Sequence, residues 1–206
     1  MANRRQVLRG LMTLVPAAGL PAAVHAGRQI EEPLGDSVRS VLSSAVAGAA
    51  PPEPVLPSGT HRRDYERWMQ QTNLRLLRYE SHPLERQEFL QTLWYEARRA
   101  GLSLSLVLGL VQVESAFRKF AVSQAGARGY MQVMPFWSRL IGDGDESRLF
   151  QMQTNLRFGS VILRHYLDAE RGDLFLALGR YNGSRGQAPY PQAVLAAQKN
   201  WQHEVD

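Results

Sequence analysis

The sequence contains no cysteine among its 206 residues. This absence excludes disulfide bonds, thiolate catalysis, cysteine-ligated metal sites and a lipid anchor on cysteine. No H-E-x-x-H spacing is present, and the histidines are scattered over positions 25, 61, 82, 165 and 203. The acidic run from Asp143 begins like a calcium-binding loop, but Arg148 stands where that loop requires glycine. We therefore expect no metal and no other cofactor.

The sequence also has little net charge once its N-terminus is set aside. The formal charge is +5, and Arg4, Arg5 and Arg9 lie in the first 26 residues, which contain no acid. The remaining residues carry 21 bases and 19 acids. A nearly balanced body gives no electrostatic reason to expect nucleic acid as a partner.

No apolar run in the sequence is long enough to span a bilayer. The apolar stretch 11–24 is interrupted by Pro16 and Pro21. Basic residues precede this stretch, and Val-His-Ala at 24–26 is a small-residue sequence of the kind cleaved after export signals. The pattern predicts a signal peptide over residues 1–26. The paired arginines are compatible with the twin-arginine route, and the Sec route stays open.

Residues 27–60 are rich in alanine and proline, with prolines at positions 51, 52, 54 and 57. Closely spaced prolines disfavour helix and strand, so we expect a flexible linker here. Residues 38–46 are compatible with a short helical turn. The folded domain is expected to occupy residues 61–206.

Within this domain, no segment shows the sustained alternation that is typical of strands. Apolar residues instead recur at about 3.6-residue spacing, which predicts an all-α fold. The expected helices cover residues 65–77, 83–100, 102–115, 154–167, 174–180 and 192–201. Thr154 or Asn155 is expected to cap the fourth of these helices, and Asp173 the fifth. The third helix is apolar almost all round, which predicts a central position.

Glu114 lies near the end of this third helix, where its apolar stripe would continue. The preceding members of the stripe are Leu104, Val107 and Val111. Burial there would favour the protonated carboxyl that a general acid needs near neutral pH. The alternative is a boundary glutamate paired with Arg118 or Lys119, one helical turn further on. Spacing alone does not choose between the two interpretations.

A glycine-containing segment follows at residues 126–132. Gly126 and Gly129 permit positive φ and a close backbone approach to a ligand. Tyr130, Met131 and Gln132 then supply an aromatic face, an apolar contact and an amide, a combination suited to carbohydrate. The alternative is a loop whose apolar residues are ordinary core.

Tyr181 and Asn182 form a second small cluster, directly before Gly183. The Tyr181 hydroxyl could point at Glu114, and Asn182 could hydrogen-bond a ligand. Asn-Gly is equally common where a helix ends, so the pair could mark only a C-terminal stop.

Together these motifs resemble the catalytic domain of the soluble lytic transglycosylases, a lysozyme-like family that cleaves the glycan strands of bacterial peptidoglycan. The resemblance covers roughly residues 84–191. It rests mainly on E-S-A-F at 114–117, G-A-R-G-Y-M-Q-V-M-P at 126–135 and A-L-G-R-Y-N-G at 177–183. The chain departs from the family at Tyr130, usually leucine, and at 179–180, where Gly-Arg replaces Ala-Ala.

The resemblance implies a lysozyme-like fold, peptidoglycan as substrate and Glu114 as the catalytic residue. It further implies cleavage of the bond between N-acetylmuramic acid and N-acetylglucosamine, with a 1,6-anhydro product. Ser115 and Tyr181 would orient the acid or the sugar. The groove would be lined by Phe117, Tyr130, Met131, Gln132 and Asn182.

An exported enzyme of this kind would act in the periplasm, as a soluble protein without a membrane anchor, or be secreted. A muramidase similar to goose-type lysozyme is an alternative on the same fold. A non-catalytic peptidoglycan-binding or assembly protein is an alternative of another class. A partner in the cell envelope or in a secretion apparatus is left open.

Overall fold

The computed structural model describes residues 29–47 and 60–202. The predicted signal peptide lies outside this described part. The described residues form eight α-helices and one 3-10 helix, which spans Glu146–Phe150. The α-helices are α1 (Asp36–Val46), α2 (Thr60–Leu76), α3 (Pro83–Arg99), α4 (Leu104–Ser115), α5 (Phe136–Ile141), α6 (Met152–Ala169), α7 (Leu174–Asn182) and α8 (Pro189–Lys199). No strand occurs among these residues, so the all-α prediction is confirmed.

The six predicted helices are all present as α2, α3, α4, α6, α7 and α8, with shifted ends. The prediction for the cap of α7 is confirmed, because the Asp173 carboxylate accepts a hydrogen bond of 3.0 Å from the Leu176 amide. The prediction for the start of α6 is wrong. That helix begins at Met152, and Asn155 lies inside it, fully buried.

The prediction of a flexible linker over residues 27–60 is wrong for residues 36–46, which form α1. Leu42 and Val46 of this helix are buried, and α1 packs against α5 and α6. Burial of these two side chains stabilises the helix, although the prolines that follow suggested an extended chain. Residues 27–28 and 48–59 of the predicted linker lie outside the described part of the structure.

Helix α4 lies in the centre of the domain, as its apolar sequence predicted. It packs closely against α8, where a Cβ on Gly109 would lie 2.7 Å from the Gln198 amide nitrogen. Helix α6 contributes the predicted residues Leu156, Gly159, Ile162, Leu163 and Tyr166 to the core. Because α4 is enclosed along its length, Glu114 near its C-terminal end lies in the interior.

Candidate active site

Glu114 is the acidic residue of α4, and it lies in the interior, only 5% exposed. The helix ends one residue later, and the chain turns through two residues of positive φ, Ala116 at 49° and Phe117 at 62°. Non-glycine residues adopt such angles rarely, and they are found disproportionately at functional sites. The neighbouring bases make other contacts. Arg118 donates to the Ser115 carbonyl at 2.9 Å, and Lys119 lies over the Phe120 ring.

Tyr190 on α8 donates a hydrogen bond from its hydroxyl to Oε1 of Glu114. Burial, followed by the nearby charge of Glu114, raises the pKa of Tyr190 well above its ordinary value. The phenol therefore stays protonated near neutral pH and serves as a donor to the carboxyl group. Sequence reasoning missed Tyr190, because the last helix was expected to begin only at residue 192. The helix-initiating Pro189 was the available signal.

Tyr181 on α7 is fully buried, and its hydroxyl donates to the Met131 carbonyl at 2.8 Å. Burial raises its pKa well above the ordinary value, and the charge of Glu114 contributes next. The residue thus lies within electrostatic range of Glu114, while its hydroxyl bonds to the loop backbone. Helix α7 also ends at the predicted stop, with Gly183 in the left-handed conformation at φ 75°.

Asn155 fixes the 126–132 loop against α6. Its Oδ1 accepts from the Met131 amide, and its Nδ2 donates to the carbonyls of Arg128 and Leu149, each at 2.8 Å. Gly129 has a φ of 76°, and a Cβ there would overlap the Asn155 amide. The loop therefore requires both the conformational freedom of glycine and its lack of a side chain. These three bonds explain why Asn155 lies within the helix and not at its cap.

The polar groups of Ser115 and Gln132 are directed at backbone carbonyls near the loop. Ser115 Oγ lies 2.8 Å from the Tyr130 carbonyl. Gln132 Nε2 donates to the carbonyls of Ala121 and Gly129, at 3.1 and 3.0 Å. Both side chains are buried, so these bonds give the loop a fixed shape. The expectations that Ser115 orients the acid or the sugar and that Gln132 lines a groove stay predictions.

Phe117, Tyr130 and Met131 are buried apolar residues around this loop. The ring centroids of Phe89 and Tyr130 lie 4.9 Å apart, and those of Phe89 and Phe117 lie 5.7 Å apart. The Met131 side chain packs onto the surface of α6 at Gly159. The core interpretation of these side chains thus agrees with their packing.

Asn182 has the hydrogen-bonding capacity that a ligand contact needs. Its Nδ2 donates to Ser184 Oγ at 3.2 Å. Its Oδ1 is buried and has no hydrogen-bond partner among the described residues. Buried acceptors are nearly always paired, so this oxygen is suited to a donor from a bound molecule.

Asp143 and Asp145 lie elsewhere. They line a cavity of about 460 Å³ bordered by α1, α5 and α6, and Glu114 is not part of its lining. The pKa of Asp143 is lowered by hydrogen bonds from the Asp145 amide and from Arg148, and that of Asp145 by those from Ser147. No cluster of three or more histidine or acidic side chains able to hold a metal occurs in the described residues. Nor does any helix described here combine the length and apolarity needed to cross a membrane.

The transglycosylase SLT domain model matches residues 92–202. Three similar curated proteins are each named membrane-bound lytic murein transglycosylase C. Identity to the protein of Actinobacillus pleuropneumoniae serotype 5b is 40% over 75 residues, which covers 32% of this chain and 20% of the relative. The Haemophilus ducreyi protein is 32% identical over 105 residues, which covers 44% of this chain and 29% of the relative. The protein of Histophilus somni strain 2336 is 30% identical over 115 residues, which covers 48% of this chain and 32% of the relative. The chain thus spans less than a third of the length of these relatives.

Proposed function

The chain belongs to the transglycosylase SLT domain family, and from that premise we propose that it is a peptidoglycan lytic transglycosylase with Glu114 as its catalytic residue. The observation that carries this proposal is the environment of Glu114. A carboxyl group buried at the end of the central helix receives a hydrogen bond from a phenol that remains protonated. Burial favours the neutral acid, and the phenol fixes the direction in which its proton is presented.

In the first step, Glu114 donates its proton to the oxygen that links N-acetylmuramic acid to N-acetylglucosamine. The bond from that oxygen to the anomeric carbon of the muramoyl sugar breaks, and the N-acetylglucosamine part leaves with a free 4-hydroxyl. Positive charge develops on the anomeric carbon, and the acetamido group of the same sugar can stabilise it. A second protein carboxylate is therefore not required.

In the second step, the 6-hydroxyl oxygen of the muramoyl sugar attacks its own anomeric carbon. The proton of that hydroxyl passes to the Glu114 carboxylate, and a 1,6-anhydro ring forms. Glu114 ends protonated, as it began, so one carboxyl group acts first as acid and then as base. The donor from Tyr190 stabilises the carboxylate between the two steps.

The neighbouring residues divide into ligand contacts and positioning residues in this proposal. Asn182 is the candidate for a hydrogen bond to the sugar, because its Oδ1 is buried and unpaired within the described residues. Tyr181, Ser115 and Gln132 position the loop through their bonds to backbone carbonyls. The loop and its aromatic neighbours then form the wall beside the acid.

We place the reaction in the periplasm, where peptidoglycan is accessible. This location is supported by the basic, alanine-rich N-terminal sequence that predicts export. The same reasoning makes peptidoglycan glycan strands the expected partner.

Mass spectrometry of the fragments released from purified peptidoglycan tests the proposal, with Glu114→Gln measured in parallel. We expect 1,6-anhydro muropeptides from the wild type and none above background from the variant. Glutamine keeps the volume of the side chain but cannot act as the acid. Circular dichroism and thermal unfolding of both proteins establish that the variant is folded.

Two results would contradict the proposal in different ways. Products with a reducing end, heavier by one water, would identify a muramidase. Binding to peptidoglycan without release of fragments would identify a binding or assembly protein.

A further inference from the structure

Residues 29–34, which we call the N-terminal segment, contact the neighbours of the candidate acid. Gln29 is only 4% exposed, although it lies more than a hundred residues before the residues it contacts. Its Oε1 accepts a hydrogen bond of 2.9 Å from the indole Nε1 of Trp137 and a longer one of 3.4 Å from the Met134 amide. Gln29 is also close enough to Tyr181 to act on the pKa of that phenol. The segment thus adjoins Tyr181, whose hydroxyl bonds to the 126–132 loop.

The chemical group at this position resembles a part of the proposed substrate. The glutamine side chain ends in a carboxamide, with one carbonyl acceptor and an N–H donor group. The acetamido group of an N-acetylated sugar presents the same carbonyl and an N–H. Trp137 and the Met134 amide are therefore donors that would suit the carbonyl of either group.

A second contact joins the segment to α7. Glu32 lies 3.4 Å from the Arg180 guanidinium, and Arg180 directly precedes Tyr181. Arg180 occupies one of the two positions at which the chain departs from the motif it resembles. The guanidinium also pairs with Glu170 at 3.0 Å, so the loss of Glu32 would leave it with a counter-charge.

The remainder of the segment is held weakly. Ile30 is 61% exposed, and the Glu32 side chain is 45% exposed. A segment with few buried side chains opens at low cost.

The candidate acid is largely enclosed in this conformation. Glu114 is 5% exposed and Asn182 is 6% exposed, yet the proposed substrate is a polymer that must reach both. We propose that the N-terminal segment is an intramolecular competitor of the glycan, with Gln29 occupying the place of a sugar acetamido group. This inference rests on the proposed function for the identity of the ligand. Displacement of the segment then precedes productive binding of the glycan.

The test compares the wild type with Gln29→Ala and Glu32→Gln, using Glu31→Gln as the matched control. Glu31 lies in the same segment and is exposed, so its replacement tests the effect of a charge change alone. The probe is N,N′,N″-triacetylchitotriose, titrated while the indole N–H signal of Trp137 is followed by nuclear magnetic resonance. The chain has four tryptophans, so each indole signal can be assigned by single substitution.

We expect Gln29→Ala to bind the trisaccharide about tenfold more tightly than the wild type, because the fraction of binding-competent protein rises. Glu32→Gln should give a smaller increase and Glu31→Gln none. Equal or weaker binding by both variants would overturn the inference, as would the absence of binding in every protein. If Gln29→Ala does not fold, the exposed Glu32 position decides the result.

Release of muropeptides from peptidoglycan separates this inference from the proposed function. Tighter binding accompanied by faster release supports both. Tighter binding without release in any protein supports competition by the segment while contradicting the catalytic proposal. Release that is unchanged in Gln29→Ala, together with unchanged trisaccharide affinity, leaves the catalytic proposal standing and overturns the competitor.

Discussion

At the scale of single residues, the two phenols near Glu114 differ in what they bond. Tyr190 donates to the carboxyl group itself, whereas Tyr181 donates to the Met131 carbonyl at 2.8 Å. Burial raises the pKa of both, so each phenol stays protonated and acts as a hydrogen-bond donor. The first phenol therefore contacts the candidate acid directly, and the second holds the loop beside it.

Replacing Tyr190 with phenylalanine tests this division. We expect kcat to fall by about 10- to 100-fold, the equivalent of losing one hydrogen bond to a charged group. The alkaline limb of the pH–rate profile should also move to higher pH. A hydroxyl donor stabilises the ionised carboxylate more than the neutral acid, and its removal extends the range in which Glu114 stays protonated. Rates of muropeptide release between pH 4 and pH 9 provide the measurement.

Tyr65→Phe is the matched control for this substitution. Tyr65 is also buried, but it packs edge-on against Trp94, with ring centroids 5.1 Å apart, on α2 and α3. Its loss should leave the pH–rate profile in place. A Tyr190→Phe protein with an unchanged profile would show that the hydroxyl does not act on Glu114.

The sequence was informative about Glu114 because a polar residue interrupted an apolar stripe. It did not reveal the pairing of Tyr190 with Glu114, since the two residues lie 76 positions apart and no local pattern reports such a contact. Asn155 shows the same difficulty. Its type and position fitted a helix cap, while its three hydrogen bonds go to segments that only the folded chain brings near.

At the scale of elements, periodicity predicted the long helices because each buries one continuous face. It missed α5 and the 3-10 helix, which span six and five residues. Elements this short do not complete enough turns to show a period. For α1 the sequence indicated at most a short helical turn over residues 38–46, because prolines follow it, and the stability of the helix depends on packing against α5 and α6.

The docking of α1 gives the second prediction. Leu42→Ala should lower the free energy of unfolding by about 2–4 kcal/mol, because it removes a side chain that is 6% exposed and leaves a cavity. Val41→Ala, at the adjacent position with 68% exposure, should change it by less than about 0.5 kcal/mol. Urea-induced unfolding followed by circular dichroism measures both. Equal, small effects would mean that α1 does not pack on the domain in solution.

At the scale of the whole molecule, α3 and α6 are joined by a buried ion pair that composition and periodicity could not reveal. Arg157 Nη2 lies 2.8 Å from Glu96 Oε1, and the two side chains are 6% and 1% exposed. Arg99 also contacts the other oxygen of Glu96, at 3.2 Å. Asn155, which holds the loop beside Glu114, lies only two positions before Arg157 in the same helix. The ion pair therefore fixes the helix that holds the loop beside Glu114.

Removing one member of this pair should affect the entire fold. We expect Glu96→Gln to lower the free energy of unfolding by about 3–5 kcal/mol, because Arg157 keeps its charge in a buried position and loses the carboxylate that balances it. Glu146→Gln is the control. Glu146 pairs with Arg128 and Arg139, but its side chain is 32% exposed and water can replace the lost contacts. Its loss should cost less than about 1 kcal/mol. Chemical denaturation compares the two, and similar losses would show that burial does not set the contribution of these ion pairs.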